Sequence, residues 1–253
     1  MDWNHLQDLW DAQQQAYLPD REDRISAMLD IVEVARGPGP RILDLACGTG
    51  SITRRVLIRL PASSAVLVDV DPALLAIAAG TFEGESRVRI CSADLRRASW
   101  RHALGEPDGA FDAVLTATAL HWLPPDRVAG VYQEAAALLR SGGILANADH
   151  IVDEGLAVLE KPLRELAQAR SQEVQLQTQA LDWDGWWTML KGQPELAPLV
   201  AERDEIFGHH EGSSHTESYL SSTWHLSALR AAGFSRTGIA WRRQADAVVV
   251  GVR

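Results

Sequence analysis

The sequence has little cysteine: Cys47 and Cys91 are its two in 253 residues. Two are too few for a disulfide framework and they lack metal-ligand spacing, so nothing calls for an oxidising compartment. Positive charge is also short. Twenty-four Lys plus Arg face 34 Asp plus Glu, a net of −10. That balance argues against non-specific nucleic-acid binding, which needs clustered cations. No apolar run approaches the roughly 18 residues of a membrane span. The opening residues, from Met1 to Gln15, are polar and amphipathic, with no apolar signal region. Internal repeats and low-complexity tracts are absent. The expectation is a soluble cytoplasmic protein that engages neither membrane nor nucleic acid. What is present is ordinary globular material, 46% apolar and 23% charged. The length suits one domain, or one domain with an insertion. Nine of the aromatic residues are Trp against three Tyr and four Phe, and Trp often lines organic-ligand pockets.

Residues 1–36 carry apolar positions at helical spacing, interrupted at Pro19. Gly37-Pro38-Gly39-Pro40 is a strong break. Short apolar strands then alternate with helical stretches. Strands are predicted over 41–45, 65–70, 88–91, 111–117 and 144–148. Helices are predicted over 51–60, 72–79 and 127–140, the last ended by Gly142-Gly143. Such alternation implies a parallel sheet with helices on both faces. Residues 151–222 break the pattern. They hold five basic and thirteen acidic residues, a Trp-rich stretch around Trp183, Trp186 and Trp187, and mostly helical periodicity; they read as an inserted cap. Residues 223–253 return to a helix and two strands joined at Gln244-Ala-Asp246, an antiparallel hairpin.

The most informative run is Ile42-Leu-Asp44-Leu-Ala46-Cys-Gly48-Thr-Gly50, a strand, a glycine turn and a helix start. The turn lets a ligand approach the backbone without Cβ obstruction. Asp69, at the end of the second strand, can accept hydrogen bonds from both hydroxyls of a ribose. Asp94, after the third strand, is placed for the adenine end of a nucleoside. A dinucleotide would share part of this pattern. However, Thr53 stands where its third glycine belongs, and the carboxylate of Asp44 beside the loop would repel a pyrophosphate. An ammonium or sulfonium would be attracted instead. S-adenosylmethionine carries both, with adenine and ribose.

With these residues in view, the sequence resembles the class I S-adenosylmethionine-dependent methyltransferases over roughly residues 17–150 and again over 225–252. Ile42–Gly50 is similar to the family's first motif, with Ala46 in place of its first glycine. Val66-Leu-Val-Asp69-Val70-Asp71-Pro72, Ala93-Asp94-Leu95 and Phe111–Thr116 resemble the ribose, adenine and fourth-strand motifs. Leu139-Arg-Ser-Gly142-Gly143 and Leu229–Phe234 resemble two later signatures, Ser141 replacing a proline. The resemblance implies an α/β, Rossmann-like, doubly wound and mostly parallel seven-stranded sheet with an antiparallel C-terminal hairpin. It implies S-adenosylmethionine as cofactor and S-adenosylhomocysteine as product. It places Asp44 near the methionine ammonium, Ala46, Gly48 and Gly50 at the methionine and sulfur end, Asp69 and Val70 at ribose and adenine, Asp94 and Leu95 at adenine, and Thr116 and Ala117 beside the sulfonium. Tyr17 and Arg21 are candidates to cover the cofactor, Arg21 for its carboxylate. The implied division is an N-terminal helical cap (1–36), a cofactor-binding core (37–150), an inserted cap over the acceptor site (151–222) and a C-terminal completion of the core (223–253).

On the acceptor side, His121-Trp122 follows the fourth strand and Asp149-His150 the fifth, so both pairs should reach the cleft. His121 and His150 are the candidate proton acceptors. Trp122, Trp186 and Trp187 are the candidate pocket walls. His209, His210 and His215 do not have the spacing of a metal site, and Cys47 reads as packing. The expected reaction is in-line displacement of the sulfonium methyl by O, N or C of a small organic acceptor. The alternatives are an S-adenosylmethionine-binding enzyme that does not methylate, a NAD-dependent oxidoreductase and a non-catalytic binding module. A homodimer is left open.

Overall fold

A computed structural model describes residues 1–208 and 219–253. The central run begins with β1 (Arg41–Leu45), whose residues from Ile42 onward are buried. Helix α3 (Ser51–Arg59) follows, then β2 (Ser64–Asp69), α4 (Pro72–Thr81), β3 (Val88–Ser92), the short α5 (Trp100–Leu104) and β4 (Phe111–Ala117). Helix α6 (Pro125–Leu138) leads into β5 (Leu139–His150), and α10 (Ser222–Ala231) into β6 (Arg236–Arg243) and β7 (Asp246–Val252). The seven strands form one sheet in the order β3-β2-β1-β4-β5-β7-β6. β1 to β5 are parallel, and β7 runs antiparallel to both β5 and β6. The chain reverses its direction of travel across the sheet between β1 and β4. That switch opens a crevice outside their carboxyl ends, where open α/β sheets bind ligands.

The strands are apolar almost throughout because both faces are covered. Leu43, Leu45, Val66, Val68, Val114 and Leu145 point to one core with Tyr132 of α6 and Leu229 of α10. Ile42, Ala65, Leu67, Ala113, Leu115 and Ile144 point to the other, with Met28 and Val32 of α2 (Arg21–Arg36) and Val56 of α3. A third cluster lies off the sheet. There Leu6 and Trp10 of α1 (Trp3–Tyr17) meet Ala73, Leu74 and Ile77 of α4, with Trp186, Trp187 and Leu190 of α8 (Trp183–Lys191) and Val200 of α9 (Ala197–Phe207). Pro198 stands in the first turn of α9, where a missing N–H costs nothing. The long α7 (Ala157–Thr178) buries no residue fully and touches α1 through Ser171, whose hydroxyl donates to the carbonyls of Ala16 and Tyr17.

One expectation is corrected. The helix expected to run to Arg140 ends at Leu138, and Gly142-Gly143 lies inside β5. Leu139 pairs with Phe111 and Ile144 with Ala113, so the residues between form a bulge. Gly142 has φ +71°, and a Cβ on Gly143 would lie 2.8 Å from the Arg140 carbonyl oxygen. The glycines are needed to turn the backbone within the strand, not to stop a helix.

Candidate functional site

The carboxyl ends of β1, β2 and β3 build one half of the cleft. Beyond β1 the backbone passes through left-handed conformations at Ala46 (φ 51°), Gly48 (φ 54°) and Gly50 (φ 80°). Glycine takes these at no steric cost, whereas Ala46 carries a local strain of about 1–2 kcal/mol. Gly50 has a second constraint: a Cβ there would lie 2.6 Å from the Phe82 ring and 2.9 Å from Leu67. Asp44, one turn below the loop, is fully buried. Its Oδ2 accepts from the hydroxyl of Thr53 at 2.7 Å and from the Thr53 amide at 3.2 Å, while its Oδ1 has no partner. Burial pushes the Asp44 carboxyl up to about 7, against the Thr53 hydrogen bonds and with help from the charge of Asp69. Asp69 ends β2. It accepts from the amides of Gly48 at 2.8 Å, Val70 at 2.7 Å and Asp71 at 2.9 Å. Burial raises its carboxyl, and those three donors oppose the rise. The Cys47 thiol is buried and pushed up as well, which keeps it protonated and unreactive.

Val70, Ala93 and Asp94 line a neighbouring cavity with Glu205 and Ile206 of α9. Asp94 pairs with Arg96 at 2.9 Å. Burial raises its carboxyl, but Arg96 and Arg97 outweigh that and hold it below the usual range. Leu95 is buried, and its carbonyl accepts from Arg127 Nε at 2.5 Å. Thr116 at the end of β4 is buried with its Oγ1 unpartnered, and Ala117 beside it is half-buried. Helix α1 lies across the glycine loop. Asp11 accepts from Ser51 at 2.7 Å and pairs with Arg21 at 3.0 Å and Arg55 at 3.2 Å. Burial raises the Asp11 carboxyl, but the two guanidiniums win and lower it.

The ends of β4 and β5 build the other half. Asp149 is buried and accepts from His121 Nδ1 at 2.6 Å, from the His121 amide at 3.2 Å and from the His150 amide at 2.9 Å. Burial raises its carboxyl, but His121, His150 and that amide reverse the effect and leave it lowered. An ionised carboxylate only accepts, so the Nδ1 of His121 carries a proton. His150 Nδ1 lies 2.7 Å from Asp246, which also pairs with Arg24 at 3.2 Å. The rings of His121 and His150 are 5.6 Å apart, and both meet Tyr219. Behind Asp149, the Tyr132 hydroxyl accepts from Asn147 at 3.0 Å and donates to His225 Nδ1 at 2.7 Å. Burial pushes His225 down to about 4, so it stays neutral and accepting.

The methyltransferase-domain family matches residues 42–143, from β1 through the β5 bulge. A trans-aconitate 2-methyltransferase of Streptomyces avermitilis is 32% identical over 122 residues, which cover 46% of this chain and 42% of that protein. A demethylmenaquinone methyltransferase of Thermus thermophilus is 42% identical over 88 residues, covering 34% of this chain and 37% of that protein. The chain thus spans less than half the length of either. The solved structure of an O-methyltransferase family protein from Burkholderia thailandensis has the same fold, with a TM-score of 0.57 at 20% identity over 90% of this chain and 55% of that one. Residues 42–143 thus match a methyltransferase domain.

The methyltransferase domain brings Asp44, Ala46, Gly48, Gly50 and Asp69 around one loop, with Val70, Asp94 and Leu95 on the adjoining side and Thr116 and Ala117 facing from β4. The donor set fits the methyl donor. The unpartnered Asp44 Oδ1 and Thr116 Oγ1 are buried polar atoms at the carboxyl ends of β1 and β4, of the kind a bound polar ligand satisfies. Arg21 is engaged with Asp11 near that loop. Tyr17 sits at the end of β5 instead, its ring 6.4 Å from His150. Trp122 lies against His121 at 5.0 Å and is 56% exposed. Trp186 and Trp187 are placed elsewhere than expected. They are buried against α1 and α4, with Trp186 5.2 Å from Trp10, beside the glycine loop rather than beside His121. The amphipathic face of α8 sends them there, because α4 offers the apolar surface they cover. The candidates His209, His210 and His215 fall outside the described residues. No group of three or more His, Cys, Asp or Glu among the described residues could hold a metal ion, and no helix among them is long and apolar enough to cross a membrane.

Residue reading of the sequence missed Asp149 as the orienting group for His121, and missed Tyr219, Asp246, Trp10 and Arg203 altogether. The pairing of β4 with β5 is the signal for the first: two polar residues just past neighbouring parallel strands must meet. Arg203 gave no signal. It bonds Asp71 at 2.8 Å and stacks on Trp187 at 3.8 Å, tying α9 to the loop between β2 and α4.

Proposed function

We propose that the chain transfers a methyl group from S-adenosylmethionine to an oxygen, nitrogen or carbon of a small organic molecule. The observation that carries the reading is the pairing of two half-sites across one switch point. Asp44 with its unpartnered Oδ1 stands on the β1 side, and the Asp149-oriented His121 stands on the β4–β5 side. In this reading Asp44 meets the methionine ammonium, Asp69 the ribose and Asp94 the adenine amino group. Residues 1–36 act as a lid over the glycine loop and 151–222 as an inserted cap, with 37–150 and 223–253 forming the core. The bound donor supplies an activated sulfonium methyl. The chain's part is to hold the two reactants in line, which can supply roughly 7–11 kcal/mol of the barrier in favourable cases. His121 takes a proton from the acceptor where the acceptor has one to lose, and Asp149 stabilises the imidazolium that forms. Substrate names of relatives point the same way: the Streptomyces protein is a trans-aconitate 2-methyltransferase, named for a small organic acid.

The test is a methyl-transfer assay with isotopically labelled S-adenosylmethionine against a small-molecule panel, read by mass spectrometry, beside equilibrium binding of S-adenosylhomocysteine. Tight binding with label transfer to any panel member is the expected result. Failure to bind S-adenosylhomocysteine would overturn the reading, and binding with no transfer to any acceptor class would favour the non-methylating alternative.

A further inference from the structure

The insertion after β5 reaches across the switch point. Its helices α8 and α9 pack in one cluster with α4, the crossover between β2 and β3. The last turns of α9 are tied to both loops at that end of the sheet. Arg203 donates to Asp71, after β2, at 2.8 Å. Arg96, after β3, donates to the Ile206 carbonyl at 3.3 Å, and its guanidinium lies 5.4 Å from the Phe207 ring. Beside these ties Glu205 and Ile206 line a cavity with Val70, Ala93, Asp94 and Trp100. Asp94 is partly engaged there. Its Oδ1 accepts from the Arg96 amide and Nε, each at 2.9 Å, and its Oδ2 faces Arg97 at 3.6 Å. Glu205 is exposed at the rim and forms no hydrogen bond or ion pair with the described residues.

We infer that α9 is part of the pocket for the donor's adenine: Ile206 packs on the base, and Glu205 accepts a hydrogen bond from its exocyclic amino group. The inference rests on the S-adenosylmethionine reading above and adds to it residues from outside the matched domain. Adenine has apolar faces and a polar rim. The faces suit the side chains of Val70 and Ile206. The amino group carries two N–H donors, and Asp94, already bonded by Arg96, has room for one of them. Glu205 takes the other. A base with an oxo group in that place would point an acceptor at two carboxylates and leave both without a donor. A site built around an N–H rejects an analogue lacking it far more strongly than it rejects a small change in size. The insertion thereby carries part of the donor specificity, and the bound base in turn holds α9 against the loops after β2 and β3.

The test is calorimetric titration of the whole chain with S-adenosylhomocysteine and S-inosylhomocysteine, which carry an amino and an oxo group on the same ring carbon. The parent should bind the amino form at least about tenfold more tightly. Glu205→Gln should narrow that ratio at least about fivefold, because an amide both donates and accepts. Ile206→Ala should weaken both ligands by about fivefold or more with their ratio unchanged, and Ile206→Val should bind both as the parent does. Glu202→Gln removes an exposed charge elsewhere on α9 and should change neither affinity. Near-UV circular dichroism of each ligand-free variant confirms its fold. A parent ratio near one, an unchanged ratio in Glu205→Gln, or parent-like binding by Ile206→Ala would overturn the inference and leave the donor site standing. Equal loss of both ligands in Glu205→Gln would overturn it too, by showing that Glu205 only holds α9 in place. If the parent binds neither ligand, both readings fall.

Discussion

His121 Nδ1 lies 2.6 Å from Asp149 Oδ1, with 28 residues between them in the chain and both side chains buried. The carboxylate also takes the His121 amide, so it fixes the position of the residue as well as the tautomer of its ring. His121→Asn and Asp149→Asn should each lower kcat about a hundred- to ten-thousand-fold for an acceptor that loses a proton. S-adenosylhomocysteine affinity should change less than twofold, because neither residue faces the glycine loop. Steady-state kinetics beside calorimetric titration reads the split. Equal loss of affinity would show that the pair holds the cofactor half instead.

Asp44 makes a prediction of opposite sign for stability and binding. Its carboxyl is raised to about 7 in the fold, so the ligand-free protein binds a proton there that the unfolded chain gives up near pH 4. The stability this proton contributes is present below pH 4 and is lost as pH rises through about 7. Thermal midpoints of the ligand-free protein should therefore carry a downward component between pH 5 and 8 that Asp44→Asn lacks. At pH 8 the variant should be more stable by roughly 1–3 kcal/mol, the scale of an unsatisfied buried group. It should also bind S-adenosylmethionine at least tenfold more weakly. Asp149 behaves in reverse: its carboxyl is lowered, so its contribution is present above about pH 4 and lost as pH falls through its depressed value.

Gly50→Ala should fail on two counts. The left-handed backbone disfavours a side chain, and the new Cβ would meet Phe82 and Leu67. We expect a loss of about 2–4 kcal/mol in stability and a weakened cofactor site. Ala46→Gly relieves strain without a clash and should leave stability within about 1 kcal/mol of the parent. Urea unfolding of the pair gives both numbers.

Arg203 joins α9 to the N-terminus of α4 through Asp71. Asp71 is buried, its carboxyl raised to about 6, mainly by burial, and Arg203 is the cation that opposes this. Arg203→Met leaves that carboxylate without its cation and removes the stacking on Trp187. The expected cost is roughly 1–3 kcal/mol, with a red-shifted tryptophan emission as α9 loosens. Asp71→Asn in the same chain should recover part of the loss; no recovery would place the cost in the stacking alone.

The loop after β1 and the acids near the ends of β2 and β3 were legible in the sequence because their information is local. Ile42 to Gly50 spells strand, turn and helix start within nine residues, and Asp69 and Asp94 stand at strand ends that apolar runs announce. The hairpin was legible for the same reason, although Asp246, read as part of its connection, already belongs to β7. The His121–Asp149 pair depends on which strands lie side by side. His121 and Asp149 meet because β4 pairs with β5, and that pairing is a property of the sheet rather than of either segment. Trp186 and Trp187 were readable as an apolar stripe, but the surface they cover belongs to α1 and α4. Gly142-Gly143 was read as a stop after a helix because two glycines serve a bulge and a helix end equally well.

The central claim is that the glycine loop, Asp44 and Asp69 form a site for an adenosyl-sulfur ligand. Calorimetric titration of the parent chain with S-adenosylhomocysteine and with NADH tests it most directly. The account predicts a one-to-one isotherm for S-adenosylhomocysteine, none for NADH, and loss of the first in Asp69→Ala. Binding of NADH without S-adenosylhomocysteine, or an isotherm unchanged in Asp69→Ala, would contradict it.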